Sequence, residues 1–111
     1  MKPKANYCDI VLQSEGLMSI STIAKDYGKS VVWLNKWLHE HGIQYKLGKI
    51  WLLYQKYADR GYMKSKPHTV YDSNGEPTAK VHSYWTQQGR IFIYHQLKKE
   101  GILPLIEQDD S

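Results

Sequence analysis

The chain has 111 residues, a formal net charge of +4, 13% aromatic residues and a single cysteine. That length holds one modest core, to which four Trp and nine Tyr bring much area per side chain. The longest apolar runs, about four or five residues, cannot span a bilayer, Met-Lys-Pro-Lys lacks the apolar stretch of a signal peptide, and lone Cys8 permits no internal disulfide, which together suggest a reducing cytoplasm.

Asn6 to Ser14 reads as a first helix, with Tyr7, Ile10, Val11 and Ser14 on one face, Cys8 on its inner side and Gly16 near its end. A second helix follows, in which Ile20, Ile23, Ala24 and Tyr27 recur at i, i+3, i+4 and i+7, capped by Ser19 or Ser21. Gly28 breaks it, and Ser30 is placed to cap a third. At 100° per residue, Val31, Trp33, Leu34, Trp37 and Leu38 fall on one arc of that third helix. Val32, Asn35, Lys36, His39 and Glu40 fall on the other. Small Ala24 where two helices would touch, and apolar Leu34 and Trp37 later, suit a helix-turn-helix at about 19–41. Lys29 departs from that pattern, because the residue after the turn glycine is normally apolar. Either the turn is looser or the lysine stem covers the core while its ammonium faces solvent. An αα-hairpin with no ligand is the plain alternative for the bare motif.

Ile43 to Tyr54 holds two short β-prone runs around Leu47-Gly48, the signal for a hairpin at about 43–53. Directly after a recognition helix such a hairpin is a wing, and Lys46 and Lys49 near its tip are suitably charged to touch a sugar-phosphate backbone. Solvated lysines guarding a hairpin edge are the competing reading. Leu53 to Arg60 reads as a short helix ended by Gly61. His68–Tyr71 and Thr78–Tyr84 flank Asp72-Ser-Asn-Gly-Glu76, which predicts a second hairpin at about 67–84 whose Asn-Gly accepts positive φ. Thr86 caps a last helix, about 86–100, running through Ile91, Tyr94 and Leu97 and closed by Gly101 and Pro104. Residues 105–111 read as a flexible acidic tail. The whole is an α+β, winged helix-turn-helix-like single domain over 1–104, with an N-terminal helical part, short β-hairpins and a C-terminal helix.

Charge is unevenly placed. From Lys25 to Lys66 there are nine Lys or Arg against three acids, so basic charge gathers around the helix-turn-helix. The chain holds no phosphate-cradling glycine loop, no nucleophile elbow and no paired carboxylates at helical spacing in an apolar setting, which argues against an enzyme. Asp72-Ser-Asn-Gly-Glu begins like a calcium loop but lacks the later acidic ligand. His39, His41, His68, His82 and His95 make no zinc spacing with a lone thiol, so neither metal nor cofactor is expected. Tyr45, Trp51, Tyr54, Tyr57 and Tyr62, interleaved with lysines, can stack on unpaired bases, but burial in a core is the better expectation for most.

Separated blocks carry a family resemblance: Gly16 to Ser30, Trp33-Leu-Asn-Lys36, Gly42-Ile-Gln-Tyr45, Trp51-Leu-Leu-Tyr54, Gly61-Tyr-Met-Lys-Ser-Lys66, and His82 to Ile93. Between about Tyr7 and Pro104 the chain resembles the C-terminal KilAC domain of phage antirepressors. The resemblance implies a prophage-encoded regulator of the switch between lysogeny and lysis, with this domain the DNA-binding half of a longer protein. Such antirepressors carry a different N-terminal domain, so a separately expressed half or a short natural relative is expected here.

Two functions are therefore weighed. In the first, Lys29, Ser30, Val32, Asn35, Lys36 and His39 lie in or beside the major groove of double-stranded DNA while Lys46 and Lys49 hold the backbone. Asn35 is then the best candidate for a base edge, and Lys36 for a guanine or phosphate. In the second, the same fold sequesters a phage repressor protein through exposed aromatics. Half-site readers are often two-fold dimers, which allows a homo-oligomer, although the chain has no coiled-coil heptad.

Overall fold

The computed structural model describes residues 6–14 and 16–108. Among these, five α-helices and two separate antiparallel hairpins follow in order: α1 (Tyr7–Gln13), α2 (Ile20–Asp26), α3 (Val31–Glu40), β1 (Gln44–Leu47), β2 (Ile50–Leu53), α4 (Gln55–Ala58), β3 (Met63–Tyr71), β4 (Pro77–Trp85) and α5 (Gln87–Lys99). A 3-10 turn at Leu105–Glu107 closes the chain. The fold class is α+β, as the sequence implies.

Side-chain oxygens start four of the helices. Asn6, Ser19, Ser30 and Thr86 accept from the amides of Cys8, Thr22, Trp33 and Gly89, satisfying donors that a first turn leaves free. Between α2 and α3 the chain reverses at Gly28, whose φ of +68° a side chain would strain, and Lys29 N–H closes the turn on Ala24 O at 3.0 Å.

The apolar faces meet where the 3.6-residue period puts them. Ile23 and Ala24 from α2 with its C-cap Tyr27, Leu34 and Leu38 from α3, Ile43 just before β1, Trp85 at the foot of β4, and Ile93 and Leu97 from α5 form the main core. Tyr7, Val11 and Tyr94 form a smaller cluster where α1 rests on α5, with half-buried Cys8 and Ile91 against it. Burial pushes the Cys8 thiol up. Ile10, which shares a helical face with Tyr7 and Val11, is instead 42% exposed because α5 covers only part of that face.

A partly buried polar triad joins three helices. Arg90 on α5 donates to Asp26 Oδ2 at 3.1 Å, and the Tyr7 hydroxyl donates to the same oxygen at 2.7 Å. Burial, with the Asp26 carboxylate, raises the Tyr7 phenol well above its usual range.

Four elements differ from the sequence expectation. The short helix is trimmed to Gln55–Ala58 because Leu53 is taken into β2. The second hairpin is longer than 67–84, pairing Met63 with Trp85 at one end and Tyr71 with Pro77 at the other. Its turn uses positive φ at Gly75 and not at Asn74, and Asp72 Oδ1 accepts from both Asn74 and Glu76 amides. The stretch read as a tail is anchored through Glu107, which accepts from Tyr7 N at 2.8 Å and from Tyr94 OH at 2.6 Å. Residues 109–111 of that stretch lie outside the described residues.

The molecule is elongated, 58 Å along its longest axis against 28 and 24 Å, and the β3–β4 hairpin has its longest strands. Only the foot of that hairpin is held. Met18 pairs with Trp85 through main-chain bonds of 3.0 and 2.7 Å, while Lys64 to Thr69 and Tyr71 to His82 are exposed.

Candidate functional site

The outward arc of α3 follows from its inward one. Because Leu34 and Leu38 are fully buried, residues two positions before and after them turn to solvent. Val32 is 73% exposed and the Lys36 side chain 74%, and His39 stands exposed one turn further on. Lys36 makes only a long 3.8 Å contact to Glu40, an exposed i,i+4 pair that barely restrains it. Ser30 is exposed; its oxygen caps Trp33 N at 3.0 Å, which leaves the hydroxyl hydrogen to donate elsewhere.

Lys29, which follows the turn, is exposed, and its ammonium lies over half-buried Trp33 at 5.1 Å from the ring centroid, a cation–π contact rather than a stem over the core with the ammonium in solvent.

The β1–β2 hairpin leaves α3 directly. Leu47 pairs with Ile50 across a two-residue turn in which Gly48 takes φ +63°, the type II′ arrangement that matches strand twist. Lys46 and Lys49 are both exposed, and Lys46 sits 5.7 Å from the ring of Trp51, its cross-strand partner.

Asn35 and His39 are less free than their place on the helix suggests. Asn35 is half-buried and accepts twice from Gln44 Nε2 of β1. His39 Nδ1 lies 3.0 Å from Gln44 O; a carbonyl only accepts, so Nδ1 carries the proton and Nε2 is left to the surroundings. Helix and hairpin are thus fastened through one glutamine, which is 1% exposed. Nothing in the local pattern marks Gln44, since strand alternation after buried Ile43 would turn it to solvent.

The proposed aromatic stackers divide. Tyr57 and Tyr62 pack on Phe92 at 4.9 and 4.3 Å, and Tyr45 leans on Tyr54 at 5.0 Å. Trp51 is half-buried beside His39. A cleft of about 330 Å³ opens between these elements and the long hairpin, with Asn35, Gln44, Lys49, Trp51, Lys80 and His82 among its walls. Among the described residues no cluster of three His, Cys, Asp or Glu is grouped to hold a metal.

These elements define a small α+β domain in which a solvent-facing helix arc and a basic hairpin are fastened side by side. The family model described as Phage antirepressor protein KilAC domain matches residues 1–100, and the chain belongs to that family. It is thereby a regulatory phage domain and not a member of a known enzyme family. No curated protein and no solved structure matches the chain. No helix among the described residues is long and apolar enough to cross a membrane.

Proposed function

We propose that the domain reads duplex DNA for a phage antirepressor in the cytosol of its bacterial host, acting on the lysogeny/lysis switch. One observation carries this reading. Val32, Lys36 and His39 share an open helix arc beside exposed Lys46 and Lys49, a pattern suited to a helix in the major groove with a wing on the neighbouring backbone. Asn35 then offers its amide hydrogens to a base edge, Lys36 meets a guanine or phosphate, and Ser30 and Lys29 meet phosphate at the start of the helix.

Lys29, Lys36, Lys46 and Lys49 would neutralise about four phosphates, and so contribute about 3.6 to the slope with which log affinity falls against log salt. The test is a salt titration of duplex binding by the parent, Lys36→Glu and Lys49→Glu. Weaker binding and a shallower slope in both variants is the expected result.

A second reading, capture of a phage repressor protein, is favoured by a different place. Ile10, Leu105 and Ile106 are 42%, 51% and 46% exposed and border a cavity of about 250 Å³ beside α1. Duplex binding that is undetectable at low salt, or indifferent to both charge reversals, would leave this reading in place of the first.

A further inference from the structure

The β3–β4 hairpin is chemically sorted. In its register Lys64 faces Tyr84, Lys66 faces His82 and His68 faces Lys80, so strand alternation puts three lysines and two histidines on one face. Ser65, Pro67, Thr69, Ala79, Val81 and Ser83 occupy the other. Neither strand contains an acid; the nearest, Asp72 and Glu76, are confined to the turn, where the Asp72 carboxylate is used by backbone amides. Lys64, Lys66 and Lys80 are all exposed, and none forms an ion pair among the described residues.

An isolated two-stranded ribbon with both faces bare is marginal in water. This one runs nine residues per strand, about 27 Å at ~3.4 Å per residue, counted from the foot that the core holds. Lysines two apart on such a strand stand about 6.8 Å from each other, a spacing that meets a phosphate chain carrying a charge about every 3.4 Å along the axis of each strand. The ribbon also lies on the reading side of the molecule. Lys80 and His82 of β4 share a cleft with Asn35 of α3 and Lys49 of the β1–β2 turn.

We propose that β3–β4 is a second DNA-contacting arm, whose Lys64, Lys66 and Lys80 grip the duplex backbone flanking the stretch approached by α3. This rests on the duplex-reading function above and adds a contact outside helix and wing. The arm supplies affinity and alignment without base readout, because phosphate contacts carry no sequence information.

The test compares the parent with the triple variant Lys64→Gln, Lys66→Gln and Lys80→Gln on a duplex of about 30 bp, roughly three helical turns. Matching circular dichroism melts establish that the fold is kept, which the exposure of all three side chains favours. The expected result is a salt slope reduced by about 2 to 3, with hydroxyl-radical protection lost on one flank and retained where α3 binds. An unchanged slope and footprint, while Lys36→Glu still weakens binding, would overturn the arm and leave the reading helix standing. Absence of any duplex binding by the parent overturns both. Sedimentation showing a dimer dispersed by Val81→Asp, together with an unchanged salt slope, assigns the ribbon to a second copy of the chain and overturns the DNA contact.

Discussion

Gln44 Nε2 donates to the main-chain oxygen of Asn35 at 3.2 Å and to its Oδ1 at 3.0 Å. The main-chain oxygen can only accept, so the glutamine must present nitrogen, and Asn35 in turn must present oxygen to it. The NH2 group of Asn35 is thereby the part Gln44 does not use, and under the proposed duplex reading its direction is set by strand β1 before DNA binds. A group prepared in this way loses less freedom on binding than one that swings in solvent.

Replacing Gln44 by Met keeps length and removes both donors. Leaving Asn35 Oδ1 half-buried without its partner should lower stability by about 1 to 3 kcal/mol, read as a drop in melting temperature. On DNA, discrimination between preferred and random duplex should narrow while the salt slope stays as in the parent, since no cation is touched. A preference as sharp as the parent's would show that Asn35 does not depend on this anchor.

Asn35 and Lys49 should separate cleanly by type of loss. Asn35→Ala is expected to weaken the preferred duplex by about 1 to 3 kcal/mol and random duplex little. Lys49→Ala should weaken every sequence alike and lower the salt slope by about 0.9. Binding selections on random duplex measure both, and equal losses on the two kinds of duplex for Asn35→Ala would remove it from base reading.

Alkali should find the tyrosine clusters. Burial, then the hydrogen bond to Glu107, pushes Tyr94 up to about 12, and burial also raises Tyr7 and Tyr27. Each phenol holds its proton more tightly folded than unfolded, where its pKa is about 10. Their contribution is therefore complete below pH of about 10 and drains away as pH climbs through the folded values. Melting temperature should begin to fall as the Cys8 thiol titrates above pH of about 8.5 and fall further above about 10, and Tyr94→Phe should flatten the second part of that fall. An equal alkaline decline in the variant would mean that Tyr94 does not contribute.

Much of this arrangement is legible locally. Ser30 and Thr86 announce helix starts by their own chemistry, and a 100° step is enough to sort Leu34 and Leu38 from Val32 and Lys36. What local pattern misses is the choice of distant partners. Arg90 reaches Asp26 across 64 positions and Glu107 reaches the Tyr7 amide across 100, pairings that no window of sequence contains. The length of the arm was hidden differently. Lys64, Ser65 and Lys66 are weak strand formers and Pro67 argues against a strand, yet a two-stranded ribbon is all edge, where proline is tolerated.

The seat of that arm depends on Gly89, in the first turn of α5. A Cβ there would stand 2.2 Å from Tyr62 O and 2.8 Å from Trp85 Cε3, closer than atoms can approach. Tyr62 leads into β3 and Trp85 ends β4, so a methyl group would press on both strands where they leave the core. Neither neighbour yields easily: Trp85 is 1% exposed, and Tyr62 O accepts from the Thr86 amide at 2.9 Å. Gly89→Ala should therefore destabilise the domain by about 1 to 3 kcal/mol or more, although alanine is the better helix former. Because the clash lies at the foot of the ribbon, amide exchange should quicken first around Met63 and Trp85, ahead of α3. A stability equal to or above the parent's would mean that α5 can shift to admit the methyl group, and that the arm is not seated by this contact.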